Sequence, residues 1–289
     1  GRSNQRNREL SVNTIRPIFY IVRKEWSDSF NNLWITIIAV ACSILSFFVC
    51  TMGFSFTGGE VQIEALLLSI VNLQLYTVPL LGMLLVYDAI IRERESAMFD
   101  VHLTRGVGLV SFLLGKWIGL MISLWVALMP SIGVQAWSLL NFGAELQLLI
   151  WCVVYTLLLS GAMVSLGLFL SSISLNRGTI VSLCIGVWLV LTIFLDFAVL
   201  WMLDLTDGDA PEWIVQLFVN INPLGLYRLL SYETFFPHEL KVPLTDSGEI
   251  MWVVLMLLGW IVAPLVIAWC GLRKRYRPII SMESPHDET

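Results

Sequence analysis

Six long apolar runs are separated by polar connectors along the chain, at 34–56, 66–87, 109–137, 148–173, 179–203 and 250–272. A helix needs about 20 mostly apolar residues, each rising about 1.5 Å, to cross a bilayer's hydrocarbon core. Backbone amides inside hydrocarbon must be satisfied within the segment, so such runs fold as helices. The pattern therefore predicts an all-α, polytopic membrane protein with six transmembrane helices. The predicted boundaries are a cytoplasmic N-terminal segment at 1–33, a transmembrane domain at 34–272 and a cytoplasmic tail at 273–289. The transmembrane domain carries an inner loop at 88–108 and a longer outer loop at 204–249. The first run follows a polar, Arg-rich stretch and is too long for a signal-peptide core, which makes it a retained span.

Cations set the orientation. Arg2, Arg6, Arg8, Arg16, Arg23 and Lys24 precede the first run, and Arg92, Arg94, Arg105 and Lys116 lie between or just within the second and third. Arg177 follows the fourth run, and Arg273, Lys274, Arg275 and Arg277 follow the sixth. The opposite side carries Arg228 and Lys241 alone. This asymmetry predicts that both termini are cytoplasmic. Before the first span, Ile15, Ile18, Phe19, Val22, Trp26 and Phe30 recur at helical spacing, with Arg16, Arg23, Lys24, Glu25 and Asp28 on the remaining face. The spacing predicts an N-terminal interfacial helix along the inner leaflet. The plainer alternative is the cytosolic start of the first span.

Composition supports the membrane reading and narrows the function. Hydrophobic residues make up 57% of the chain and charged residues 13%, against about a quarter charged in an average soluble domain. A net charge of −5 argues against nucleic acid as a partner, since phosphate binding needs a basic face. The five cysteines, Cys42, Cys50, Cys152, Cys184 and Cys270, form no C-x-x-C pair, and His102, His238 and His286 fall in predicted loops or the tail. No zinc-ligand spacing is present. Gly108 to Gly115-Lys116 has the wrong spacing for a phosphate loop, and Trp117 stands where Ser or Thr is required. The reading is a non-catalytic chain with no cofactor or metal of its own, so that any ATP–Mg is bound by a separate chain. Met52, Met202, Met251, Met256 and Cys270 offer soft copper ligands, but their scatter is read as core packing.

Asp196 is the one clear acid within a span. It is either a conformational or substrate contact or a solvated acid near the outer membrane edge. Ser160, Gly161, Ala162, Ser165, Gly167, Ser171 and Ser172 predict close helix packing along the fourth span. In the inner loop, Ser96 can cap a short helix carrying Met98, Phe99, Val101 and Leu103 among charged residues, a pattern suited to docking. The outer loop opens with Asp204, Asp207, Asp209 and Glu212. Two short helices separated by Asn222-Pro223 are predicted there, with Trp213, Tyr227 and Tyr232 as interface anchors. Its acidic entrance is either a protein-docking face or ordinary solvation.

Several stretches resemble the ABC-2 type permease family: Ile21-Val-Arg-Lys-Glu-Trp-Ser-Asp28, Tyr87-Asp-Ala-Ile90, and Glu95 leading to Leu114-Gly-Lys116. Three more are similar to its Nos branch, which serves maturation of nitrous oxide reductase. These are Pro79-Leu-Leu-Gly-Met-Leu-Leu-Val-Tyr-Asp-Ala-Ile90, Phe194-Leu-Asp-Phe197 and Asn222-Pro223-Leu-Gly-Leu-Tyr-Arg-Leu229. The resemblance implies an ABC-2 permease fold in the bacterial inner membrane and a homodimer bound on the inside by two copies of a NosF-like ATPase. The ATPase dock would be the coupling loop, at Glu95, Met98, Phe99, Val101, His102 and Leu103. The resemblance also implies a NosD-like periplasmic protein, docked at Asp204, Asp207, Asp209, Glu212 and Trp213, and a copper-chaperone lipoprotein as a further partner. Copper–sulfur cluster delivery would occur on the outer partner. Ser96-Ala97-Met98 replaces the family's usual Gly-Thr after Glu95, and Asp100 and His102 replace aliphatic residues, so this dock departs from the family pattern. The competing readings are an ABC-2 exporter of a lipid, glycan or small molecule and an autonomous membrane scaffold.

Overall fold

The computed structural model describes residues 18–27, 33–56, 63–87, 89–95, 108–173, 176–206, 211–236 and 249–281. No strand occurs among the described residues. In chain order the helices are α1 (18–27), α2 (Leu33–Phe56), α3 (Ile63–Val86), α4 (Ala89–Glu95), α5 (Leu109–Asn141) and α6 (Leu146–Ile173). Then come α7 (Arg177–Leu189), a π-helical turn (Val190–Phe194), α8 (Leu195–Leu205), α9 (Glu212–Ile221), α10 (Pro223–Phe235) and α11 (Glu249–Ser281).

Among the described residues, five helical stretches are long and apolar enough to cross a membrane: 63–91, 109–141, 146–173, 178–205 and 250–275. A shorter apolar stretch, 36–52, lies within the 24-residue α2. These cores coincide with the runs seen in the sequence. The helices extend beyond them, to Asn141 in α5 and Ser281 in α11, because a helix can continue into the headgroup layer where polar side chains are hydrated.

The fourth apolar run, α6, is the central helix. It packs most extensively against α11 and α3, and also against α5 and α10. Ser160, Gly161, Ala162, Ser165, Gly167, Ser171 and Ser172 are all buried on it. A Cβ added at Gly161 would stand 3.0 Å from Ile261 Cδ1 of α11. The small-residue seam therefore brings α11 close, and the gain is van der Waals contact, since hydrocarbon offers no hydrophobic drive between helices. The α7–α8 and α11 spans are mostly exposed in the single chain.

The α9–α10 pair follows the predicted break. Asn222 caps α10 by accepting from Leu224 N at 3.0 Å, and Pro223 stands in its first turn. Pro223, Leu224, Leu226, Tyr227, Leu230, Ser231 and Phe235 are buried, so α10 enters the bundle instead of lying on its surface. Tyr227, expected as an interface anchor, is 1% exposed. Tyr232 is half-buried and meets Phe236 edge-on.

The first helix departs from expectation at Glu25, which the spacing assigns to the polar face and which is buried. Phe19, Tyr20 and Trp26 point outward, and Ile21 and Glu25 are the buried positions. An apolar ring can face hydrocarbon at no cost, whereas Glu25 has a cation to meet.

Candidate functional site

Two polar layers lie at opposite ends of the bundle, one where α1 and α4 meet α5 and the other around α10. The first is ionic. Lys116, about 10 Å along α5 from Leu109, is 0% exposed. Its Nζ lies 2.5 Å from Glu25 Oε1 on α1 and 3.3 Å from Glu93 Oε1 on α4. Lys24 Nζ donates to Glu93 Oε1 at 2.8 Å. The four formal charges sum to zero. That neutrality allows burial, because a desolvated charge is tolerated only when well paired. Lys116 Nζ also stands 5.6 Å from the centroid of the Phe112 ring, within range for a cation–π contact.

The backbone makes room for this arrangement. A Cβ on Gly119 would lie 2.7 Å from Glu25 Cβ, and one on Gly115 would lie 3.0 Å from Ile21 Cβ. These glycines let α1 lie directly on α5. On the other side, Ile90 N of α4 donates to Ser171 Oγ of α6 at 3.2 Å. Burial alone would raise the Glu93 carboxyl, but the Lys116 charge, with the Lys24 hydrogen bond and charge, outweighs it and holds the pKa below the ordinary value.

From this cluster, indole donors carry contact onto α6. Trp117 Nε1 donates to Ser165 Oγ at 2.9 Å, and Trp125 Nε1 donates to Ser160 Oγ at 3.1 Å. The second polar layer lies roughly 10–17 Å from the opposite helix ends. Gln74 Nε2 of α3 donates to Gln135 Oε1 of α5 at 2.8 Å. Gln135 Nε2 donates to Ser46 Oγ of α2 at 3.0 Å, and the Ser46 and Ser131 hydroxyls are 2.6 Å apart. Tyr227 OH of α10 donates to Gln74 Oε1 at 2.9 Å, and Thr156 Oγ1 of α6 donates to the same oxygen. The buried Gln74 amide thus links three other helices through directional bonds, and Gln135 extends the layer to α2.

Beside this layer, Arg228 Nη2 donates to Asp196 Oδ2 at 2.7 Å. The π turn frees a carbonyl that the α-helical pattern would use, and Asn222 Nδ2 donates to Leu191 O at 2.9 Å. Asn222 therefore ties the interrupted span to the start of α10.

Of the expected docking residues, Asp204 is exposed at the end of α8. Asp207 and Asp209 lie outside the described residues. So do Met98, Phe99, Val101, His102 and Leu103. Glu95 closes α4, and Glu212 and Trp213 open α9; their side chains also lie outside the description. Asp196, left open between contact and solvation, is an ion-pair partner. Met52 is 43% and Met251 70% exposed, and Cys270 is exposed too, so these side chains face outward and do not fill the core as expected. Hydrocarbon removes the penalty that would bury them in a soluble protein. Among the described residues, no three His, Cys, Asp or Glu side chains gather where a metal could be held.

Sequence reasoning missed the Lys116–Glu25–Glu93 cluster and the Gln74–Gln135 layer. Signals for both were present: a lysine flanked by Gly115 and Gly119 inside an apolar run, and two glutamines inside spans. No spacing rule links positions so distant in the chain.

The ABC-2 family transporter protein model matches residues 19–275. Two similar relatives are both described as "Probable ABC transporter permease protein NosY". The one from Stutzerimonas stutzeri is 28% identical over 276 residues, covering 90% of this chain and 99% of the relative. The one from Pseudomonas aeruginosa is 29% identical over 276 residues, covering 91% and 99%. The match to the family model takes in every span and both polar layers, and the chain belongs to the ABC-2 family of transporter proteins.

Proposed function

We propose that this permease subunit converts ATP-driven movement of a separate ATPase into a shape change on the outer side, serving maturation of the copper–sulfur centre of nitrous oxide reductase. In this reading the α4 end is cytoplasmic, with both termini on that side of the bacterial inner membrane. The chain pairs with a second copy of itself. Two NosF-like ATPases bind beneath, on the loop between α4 and α5, and a NosD-like protein rests on the outer loop. An ABC transporter family implies an ATPase partner and paired membrane subunits in general; the similarity to NosY permeases supports the narrower assignment.

The observation that carries the reading is the buried ionic cluster at the root of the inner loop. A push on the loop reaches Glu93 first. Through Lys116 and Glu25 it moves α5 and α1 as one body, because separating desolvated charges costs far more than tilting a helix. The Trp117 and Trp125 bonds pass the displacement to α6, and the Gln74 layer passes it to α10. The chain itself supplies mechanical linkage, and the cluster chemistry belongs to the outer partner.

The test is recovery of partner chains on tagged permease from a membrane that expresses the whole assembly. Phe99→Asp should release the ATPase while the permease remains inserted, because a charge in an apolar contact is expensive when desolvated. The triple change Asp207, Asp209 and Glu212→Lys should weaken the periplasmic partner, more so at low salt, and leave the ATPase bound. An undiminished ATPase with Phe99→Asp would move the dock elsewhere. Wild-type recovery of the periplasmic chain at both salt levels would favour plain export over maturation.

A further inference from the structure

The α8 helix and the α9–α10 pair line an open-sided cavity of about 350 Å³ near the α10 end of the bundle. Its walls are largely hydrocarbon, from Leu195, Val199 and Phe218 among others, with Asp196 and Arg228 on one side. A volume of that order suits a small-molecule or headgroup ligand.

The ion pair in this wall is incompletely used. A guanidinium has five N–H donors. Among the described residues Arg228 spends one of them, on Asp196 Oδ2, and its Nε is shut off from water with no acceptor. The other carboxylate oxygen of Asp196 accepts no hydrogen bond among the described residues. Both side chains keep roughly a third of their surface, 29% for Arg228 and 33% for Asp196. Asn222, a neutral polar residue in the same wall, is already committed in both directions, to Leu191 O and from Leu224 N.

The site therefore offers spare donors beside a spare acceptor, with a formal charge of zero. A simple anion satisfies Arg228 and repels Asp196, and a simple cation does the reverse. A zwitterion answers both. Within the wall, Leu200 is 62% exposed and carries the apolar lining out to the surface, as acyl chains require.

We propose that the cavity binds the headgroup of a phosphatidylethanolamine from the adjoining leaflet. The phosphate meets Arg228, the primary ammonium meets Asp196, and the chains run along α8. The site does not depend on the maturation role. Because Asp196 is on the span that carries the π turn and Arg228 is on α10, occupancy would also bias the angle between these elements.

The test uses the full chain, delipidated in detergent and titrated with phosphatidylethanolamine, phosphatidylglycerol or phosphatidylcholine, with bound lipid counted by native mass spectrometry. Phosphatidylethanolamine should bind about tenfold more tightly than the other two, since phosphatidylglycerol has no ammonium and phosphatidylcholine has no N–H to donate. Asp196→Asn should erase that preference, and Arg228→Gln should weaken binding of all three lipids, since each carries the phosphate. Val199→Phe puts a ring into the cavity and leaves the ion pair intact, so it should also abolish selective binding; it decides the matter if the charge variants fail to fold. Equal binding of the three lipids to wild type would overturn the proposal, as would unchanged selectivity in Val199→Phe. Competition by free phosphoethanolamine at the concentrations effective for the lipid would identify a water-soluble ligand and overturn the lipid assignment.

Discussion

Replacing Lys116 with Met removes the ammonium and keeps most of the volume. Glu25, 1% exposed, then loses the cation 2.5 Å from its carboxylate. Glu93 loses a cation at 3.3 Å and keeps Lys24 at 2.8 Å. The expected cost is about 3–5 kcal/mol, the usual penalty for breaking a buried pair from one side. At about 2–4 °C per kcal/mol for a chain of this size class, the thermal midpoint in detergent should fall on the order of 10 °C. Glu25→Gln should cost less, because Lys116 retains Glu93. The double variant should be more stable than the two separate losses predict, since it removes both members of the closest pair. Tryptophan fluorescence during thermal unfolding measures all four proteins, and the cycle gives the coupling directly. A coupling near zero, or a Lys116→Met midpoint within about 2 °C of wild type, would refute the claim that this cluster holds α1 against α5.

Gly119→Ala puts a methyl 2.7 Å from Glu25 Cβ, close to the α1 backbone, where a flexible side-chain end cannot give way. Amide exchange across residues 18–27 should accelerate at least about tenfold while α6 stays protected; unchanged α1 protection would disprove the close approach. Glu93 has a folded pKa below its unfolded one, so its contribution is complete above the unfolded value of about 4.3 and is lost as pH falls through the depressed folded value. Midpoints measured over falling pH should drop in that acid window, and Glu93→Gln should flatten the drop. Asn222→Ala removes the α10 cap and the donor to Leu191 O, at a cost of about 2 kcal/mol. Faster exchange at the Val190–Phe194 amides should accompany it, and unaltered exchange there would uncouple the turn from α10.

The spans were legible because apolar length is a local property that the bilayer enforces on each segment separately. Asn222-Pro223 was legible as a break for the same reason: a cap and a missing N–H act within one turn. Partners across the bundle were not. Lys116 looked like a cation near the membrane edge, and only the folded chain brings Glu25 and Glu93 to it. The burial of Glu25 was hidden because an acid opposite an apolar stripe reads as hydrated until the fold supplies its cation. The burial of Tyr227 was missed in a similar way, since an interfacial tyrosine and one donating to a buried Gln74 oxygen look identical in sequence.

The π turn at Val190–Phe194 acts as a phase shift within a continuous span. An extra residue in a helical turn rotates everything after it by about 100°, given 3.6 residues per turn. The faces that α7 and α8 present to their surroundings are therefore set independently, although one rod carries both. Deleting a single residue from the turn would restore ordinary α pairing and swing Asp196 about a quarter-turn away from Arg228. Length in this segment thus carries information that composition does not: a span one residue shorter would be equally apolar and equally able to cross the bilayer, and its acid would face the wrong way.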